Sequence, residues 1–327
     1  MNDDHHEEAS KLLPLIPNLA SIHFLRQAGA MLDLPVRTTA TAIMYYHQFN
    51  RFMLLNKGGK PTRNDRLVDE SMPLNTNEEL LTTTCLHLAC KMTDVPRKVR
   101  DLVNVGYRYY HPKEGILQID ETYFKMRSSL VVGELLLVRA LGYDLEVSLP
   151  FTYCLNVLRG MASVSWFAAS SVAATTVPST KQDRRVSSGH QKDYWRSMEQ
   201  EMDPELSTIA RVAWMFCWDS ICSPKIVLTR TTAEVALGCL YLALELSHTE
   251  LPVNMNQWVD MWGASENISV QNVCDVVTDL IELFAHCPSI EDITPSTFSS
   301  ATSPPPPPAP QPSSSSSSQK PSSPASA

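Results

Sequence analysis

Glycine is scarce in this chain, which has 11 glycines in 327 residues. The sequence contains no glycine-rich phosphate loop, no GxSxG nucleophile elbow and no HExxH zinc motif, so the enzyme classes that depend on them are not indicated. The nine histidines show no metal-ligand spacing beyond the neighbours His5 and His6. We therefore expect a protein without a cofactor or metal, and not a hydrolase assembled from scattered Cys and His.

Long apolar runs are also missing. No run approaches the roughly 18 residues that would indicate a membrane span. The first ten residues, MNDDHHEEAS, are acidic and lack the cationic and apolar regions of a secretory signal. We expect an intracellular protein without membrane contacts.

Basic residues are outnumbered, with 27 Lys and Arg against 35 Asp and Glu. A broad nucleic-acid surface needs a basic face, so we expect no direct nucleic-acid binding and favour a protein partner. The eight cysteines form no CxxC pair and lie inside apolar helical patterns. They are more typical of buried thiols than of disulfides or zinc ligands.

Helical periodicity dominates the rest of the chain. Apolar residues recur at i, i+4, i+7 and i+11, for example at Leu81, Cys85, Leu88 and Met92. With capping residues such as Asn75, Asn77, Asp120 and the Asp203-Pro204 pair, the pattern predicts an all-α fold in two series of five helices. The predicted helices are 18–33, 36–56, 77–93, 97–110 and 121–142, then 150–162, 204–222, 230–247, 255–262 and 269–286.

The domain organisation follows from these two series. We predict an N-terminal unit at 18–148 and a C-terminal unit at 149–292. Three segments lack core-facing patterns: a frayed start at 1–17, a flexible insertion at 163–193 and a disordered Pro/Ser-rich tail at 293–327.

Three tail residues precede proline and are candidate sites for proline-directed kinases: Thr294, Ser303 and Ser323. Such pairs are also expected by composition alone in a segment of this kind, so a purely solvated tail stays open.

A seven-residue sequence, called the word below, occurs twice in similar form. CLHLACK spans 85–91 and CLYLALE spans 239–245, with four identical positions. Each copy lies in the third predicted helix of its series, and small residues there suit a central helix with close neighbours. We interpret the two copies as a duplication, with coincidence as the alternative.

Two charged residues lie within or next to apolar segments of the predicted helices. Lys91 ends the first copy, and Glu134 stands inside the apolar run LVVGELLLV. A buried carboxylate needs a partner or a proton, because unpaired burial is costly. A docking surface with both charges and an intramolecular ion pair are both consistent with the pattern, and a lysine that simply extends to water is a third possibility.

Several longer motifs resemble one family. ATAIMYYHQF, LHLACK, VRDLVNVGYRYYHP and ELLLVRALGYDLEV resemble the transcription-type cyclins, and the combination with AGAMLDL and DLIELF is most similar to the cyclin Q branch. The resemblance is strong over residues 20–162 and weaker over 200–286. It implies two tandem cyclin folds of five helices each, which accounts for the repeated word.

The resemblance also implies a function. Cyclins are non-catalytic subunits that bind a cyclin-dependent serine/threonine kinase through the first box and stabilise the active placement of its helix C. The family's lysine and glutamate correspond to Lys91 and Glu134. The family usually continues the lysine with two acids, and only the second is kept here, after Thr93. The expected kinase-binding residues are Lys91, Glu134, Leu88, Val131, Leu135 and Asp94.

The partner implied is a kinase similar to cyclin-dependent kinase ten or to the transcription kinases, in a heterodimer that acts in transcription or the cell cycle. The expected compartment is the nucleus, with the cytoplasm as a second location. The alternative is a general transcription factor of the TFIIB type, which also has tandem cyclin folds and binds DNA and polymerase. Such a factor should have a basic surface and paired CxxC motifs, which this sequence lacks.

Overall fold

The computed structural model describes residues 13–57, 77–163, 204–249, 251 and 253–286. These residues form eleven α-helices and a short 3₁₀ turn, and the described part contains no strand, which confirms the all-α prediction. The helices are α1 (Leu19–Met31), α2 (Val36–Lys57), α3 (Glu78–Met92), α4 (Val99–Tyr110), α5 (Glu121–Ala140), α6 (Pro150–Ser163), α7 (Pro204–Ser220), α8 (Pro224–Thr229), α9 (Thr232–Leu246), α10 (Met255–Gly263) and α11 (Val270–His286).

The predicted helix ends agree with the observed ones to within two residues. At the start of α3, the side chain of Asn77 accepts a hydrogen bond from the Leu80 amide at 2.9 Å. At the start of α5, Asp120 accepts from the Tyr123 amide at 3.2 Å. These contacts satisfy amides that have no partner inside the helix. The other proposed caps, Asn75 and Asp203, lie outside the described residues.

The two helices that contain the repeated seven-residue sequence are each surrounded by other helices. Helix α3 packs against α1, α2, α4 and α5, and α9 packs against α6, α7, α8, α10 and α11. Because the short helix α8 precedes it, α9 is the fourth helix of its series rather than the third. Central placement explains why both words are rich in small and apolar side chains.

Both copies of the word end in the same backbone geometry. The residue nine positions after the first cysteine has a left-handed backbone in each copy, with φ of 57° at Asp94 and 51° at His248. The next amide, of Val95 or Thr249, donates to the carbonyl five residues earlier, at 3.0 and 3.1 Å. Such a turn terminates a helix by satisfying its last carbonyls. The same turn also follows α1 at Asp33 and the 3₁₀ turn at Asn267, so the duplication stays an interpretation of the sequence.

Residues 13–17 correct the prediction of a frayed start. Leu13 is buried, the hydroxyl of Ser223 donates to the Leu15 carbonyl at 2.6 Å, and the Lys225 amide donates to the Pro14 carbonyl at 3.3 Å. The segment packs because its leucines contribute apolar surface and its carbonyls find donors beside α8.

The other predictions of irregular segments concern residues that the structure does not describe. Residues 1–12, the tail at 293–327 and the insertion from 164 to 193 lie outside the described residues, and Ser163 is the last residue of α6. The domain boundaries therefore stay predictions. Among the described helices, none combines the length and the apolarity that crossing a bilayer requires.

Candidate functional site on helices α3 and α5

An ion pair joins the two central elements of the candidate site. The ammonium nitrogen of Lys91 lies 2.6 Å from Oε1 and 2.7 Å from Oε2 of Glu134, so both carboxylate oxygens accept from it. The side chain of Lys91 is 48% exposed and that of Glu134 is 18% exposed. The Glu134 carboxylate, which lies inside an apolar run, is thus paired with Lys91 on the neighbouring helix. Lys91 also lies in the last turn of α3, where a cation is favourable.

A buried imidazole lies beneath this pair. Nδ1 of His87 is 3.3 Å from Oε2 of Glu134, although the contact lacks hydrogen-bond geometry. The pKa of His87 is lowered, mainly by burial; Glu134 opposes the shift and Lys91 adds to it. Because its pKa is lowered, His87 is mainly neutral at pH 7. The imidazole of His87 therefore adds no charge beneath the Lys91–Glu134 ion pair.

Helix α5 leaves an apolar stripe uncovered beside the ion pair. We define the α5 stripe as Phe124, Val131, Val132 and Leu135, all exposed, with Leu135 70% exposed. Phe124, Val131 and Leu135 are spaced by seven and four residues, so they share one helix face. The same helix buries Leu130 and Leu137 on its other side. Exposed apolar side chains grouped in this way are typical of an interaction surface.

The predicted kinase-binding residues differ in their exposure to solvent. Val131 and Leu135 are exposed on the α5 stripe, and Asp94 is exposed at the turn after α3, so their contact with a kinase stays a prediction. Leu88 is only 3% exposed and packs in the apolar core, so it is not available to a partner. The prediction of a contact through Leu88 is corrected: its helix face is covered by the chain's own helices.

Three exposed apolar residues of this region were missed from the sequence: Met92, Phe124 and Val132. Met92 follows the buried series of α3, and periodicity alone places it in the core. It is exposed because the helix ends at this residue. Phe124 is seven residues before Val131, and this spacing could have identified it.

The second copy of the word has no matching pair of opposite charges. Glu245 takes the position of Lys91 and is exposed on α9. Tyr241 lies one turn earlier on the same helix, and its pKa is raised to about 12, mainly by burial and then by the Glu245 carboxylate. The arrangement of a lysine facing a glutamate on a neighbouring helix therefore belongs to the first copy.

Sequence comparisons show which known proteins the chain resembles. No protein-family model matches the chain. Cyclin-T1-3 of Oryza sativa subsp. japonica is 21% identical over 265 residues, which cover 80% of this chain and 41% of the rice protein. Cyclin-L2 of Mus musculus is 23% identical over 260 residues, which cover 78% of this chain and 38% of the mouse protein. The chain is similar in sequence to cyclins over about four fifths of its length. These relatives are cyclins of the transcription type, and the assignment to the cyclin Q branch stays a prediction.

A solved structure shares the fold of this chain. A chain in the crystal structure of the yeast RNA Pol II CTD kinase CTDK-1 complex superposes with a TM-score of 0.53 at 14% identity. The match covers 89% of this chain and 69% of the yeast chain. The chain spans about two fifths of the length of the rice and mouse relatives.

Proposed function

We propose that this chain is a non-catalytic regulatory subunit that binds and activates a cyclin-dependent kinase. The observation that carries the proposal is the ion pair of Lys91 with Glu134 beside the uncovered α5 stripe. The combination offers a partner an apolar area for burial and two charges that fix its orientation. The proposed contact residues are Lys91, Glu134, Val131, Leu135 and Asp94, together with Met92, Phe124 and Val132.

Activation would act on the kinase's helix C. In a protein kinase, a glutamate on this helix must meet a strand lysine before the ATP phosphates are held correctly. A partner that binds the active placement more tightly shifts the population toward it. The α5 stripe would bury apolar side chains of the kinase, and the ion pair would donate to and accept from polar groups next to them.

The ion pair prepares this surface in the free chain. Each member holds the other in place, so less side-chain freedom is lost when a partner binds. Glu134 is largely shielded from water, which strengthens its contacts relative to those of a fully exposed carboxylate. Removal of one member would leave the other without its partner at the interface.

A charge exchange tests whether the kinase contacts the pair. Lys91→Glu and Glu134→Lys should each weaken kinase binding by about 2–5 kcal/mol, or roughly 30-fold to several-thousandfold. The double variant restores an ion pair between α3 and α5 with its polarity reversed. If the kinase contacts these groups, the double variant regains thermal stability but not kinase binding. Pull-down and kinase activity are measured for each variant.

Glu245→Lys is the matched control, because it changes the equivalent position of the second copy. It should leave kinase binding and activation largely intact. Full activation by Lys91→Glu, or rescue of binding by the double variant, would mean that the pair serves only the chain's own fold. A loss of activation by Glu245→Lys alone would move the binding surface to the second copy.

The identity of the kinase is a further part of the proposal. We infer a heterodimer with a kinase similar to cyclin-dependent kinase ten or to the transcription kinases, and a nuclear role in transcription or the cell cycle with a cytoplasmic pool. The relationship to transcription-type cyclins supports this choice. Affinity purification followed by mass spectrometry, with Lys91→Glu as the negative control, tests it. A kinase depleted from the Lys91→Glu sample is a partner bound through this surface, and recovery of no kinase by the unchanged chain would contradict the heterodimer.

A further inference from the structure

A buried ring nitrogen without a hydrogen-bond partner lies beneath the ion pair of Lys91 and Glu134. It is Nδ1 of His87, a residue that is only 4% exposed. Buried polar atoms normally have a partner, so an unpaired one needs an explanation. Oε2 of Glu134 lies 3.3 Å from this nitrogen, just beyond the usual range of about 2.7–3.2 Å for an N–H···O bond. A small turn of either side chain would therefore align a proton on Nδ1 with the carboxylate.

Glu134 is the acceptor that the surroundings of His87 offer to this proton. Helix α3 is packed against α1, α2, α4 and α5. The charged groups that act on the ring are Glu134 from α5 and Lys91 from α3 itself. Within the described residues, no hydrogen bond or ion pair joins the ring to a side chain of α1, α2 or α4. The ring can thus serve Glu134 without giving up another partner.

The ion pair can lose a bond when a partner protein binds. The ammonium group of Lys91 has three N–H donors, and two of them serve the two oxygens of Glu134. Lys91 is also the more exposed member, at 48% against 18% for Glu134. A partner that presents two acceptors to Lys91 takes one of these donors away. One carboxylate oxygen then lies beneath the partner unpaired, which is unfavourable unless a second donor replaces the first.

We propose that His87 is a positioning residue for Glu134, which holds the carboxylate through Nδ1–H when a kinase draws the Lys91 ammonium toward itself. A neutral ring with its proton on Nδ1 is sufficient, so the exchange of donors needs no change of charge. Oε2 keeps a donor and the carboxylate keeps its orientation toward the kinase. The inference rests on the proposed kinase-binding function, but the exchange of donors is measurable in the chain alone.

Nitrogen-15 NMR of the histidine rings in the full chain tests the exchange without a kinase. Lys91→Met removes the ammonium group and keeps an unbranched apolar stem. We expect a downfield Nδ1–H signal of His87 in this variant, bonded to Glu134. The pKa of His87 should also rise, because the repulsion by Lys91 is gone while the attraction by Glu134 remains. The ring signals of His248, exposed after α9, should not respond.

Removal of the acceptor provides the second arm of this test. Lys91→Met combined with Glu134→Leu leaves Nδ1 of His87 with neither group, and leucine suits the apolar run around position 134. Both the downfield signal and the rise in pKa should disappear. Persistence of the downfield signal in this double variant would show that Glu134 is not its acceptor and would overturn the proposal.

Kinase binding tests the role of the ring, with the kinase recovered by the unchanged chain as the probe. His87→Leu should weaken binding about tenfold without lowering the melting temperature, because leucine replaces an unpaired buried polar group. His87→Asn restores an N–H donor near the position of Nδ1 and should recover most of the lost affinity. Tyr241→Phe, at the equivalent position of the second copy, is the matched control and should bind normally.

The two measurements distinguish failure of this inference from failure of the proposed function. If the ring signals of His87 in Lys91→Met are those of the unchanged chain, the exchange of donors is wrong even though a kinase binds. If His87→Leu binds the kinase as tightly as the unchanged chain, the ring has no positioning role. If no kinase is recovered, the proposed function fails and His87 loses its role in kinase binding, whereas the NMR result on the donors still holds.

Discussion

Nε2 of His47 in α2 lies 3.1 Å from the carbonyl oxygen of Ile221, which is 174 residues further along the chain. The ring is buried, and it links the first series of helices to the segment between α7 and α8. A neutral imidazole with its proton on Nε2 donates to this carbonyl. Burial lowers the pKa of His47 from 6.5 to about 4, although hydrogen bonds to backbone carbonyls oppose the shift.

This lowered pKa predicts a loss of stability in mild acid. The unfolded chain takes up a proton at His47 near pH 6.5, and the folded chain does so only near pH 4. Stability from this group is therefore complete above pH 6.5 and falls as the pH decreases toward 4, by about 3 kcal/mol in total. Urea unfolding between pH 7 and 4.5 measures the slope. His47→Gln keeps an amide donor that does not titrate, so its slope should be shallower; equal slopes would contradict the assignment to His47.

The left-handed backbone at Asp94 predicts that some substitutions at this position are tolerated and others destabilise the fold. Asparagine accepts this conformation about as well as aspartate, so Asp94→Asn should keep the melting temperature. Asp94→Val should lower the free energy of unfolding by roughly 1–2 kcal/mol, because a branched side chain clashes there. Chemical unfolding measures both effects. His248→Asn and His248→Val, at the matching position of the second copy, should reproduce the pattern; a stable Asp94→Val would show that the turn is not constrained.

Asp94→Asn also separates charge from backbone at the proposed kinase surface. If the carboxylate contacts the kinase, this variant binds more weakly although its fold is unchanged. Equal binding by both proteins would remove Asp94 from the contact.

A close approach of α9 and α11 predicts a large effect of one methyl group. A Cβ at Gly238 would lie 2.5 Å from Cγ1 and 2.8 Å from Cβ of Val276. Gly238→Ala should therefore lower the free energy of unfolding by about 1–3 kcal/mol, the usual cost of an overpacked core. Gly115→Ala is the control, because a Cβ at Gly115 meets nothing within 4 Å. Adding Val276→Ala to Gly238→Ala should recover part of the loss; no recovery would place the strain elsewhere.

The tail predicts a pattern of phosphorylation. Thr294, Ser303 and Ser323, all outside the described residues, precede prolines, and a kinase bound to the same chain would meet them at a high effective concentration. We expect phosphate at these three sites in the reconstituted complex, mapped by mass spectrometry. The serines at 313–318 lack a following proline and should stay unmodified. Absence of phosphate from all three sites would leave the tail without this regulatory role.

The helices could be predicted from the sequence because apolar spacing and capping residues are local signals. Helix α8 was missed because six residues are too few to show a period. The partner of Glu134 stayed open, since periodicity assigns a residue to a face and does not show which helix lies opposite. For the same reason Leu88 was placed on the surface, although other helices cover its face.

In the proposed complex, the internal pairing of Lys91 and Glu134 determines how fast the kinase binds. Because the two charges neutralise each other within 2.6 Å, the surface presents a dipole rather than a net charge at distances beyond the Debye length of about 8 Å at physiological salt. Long-range electrostatic steering from this pair is then weak, and the association rate should lie near the neutral range of about 10⁵–10⁶ M⁻¹s⁻¹. Selectivity among kinases would accordingly reside in how long each complex lasts.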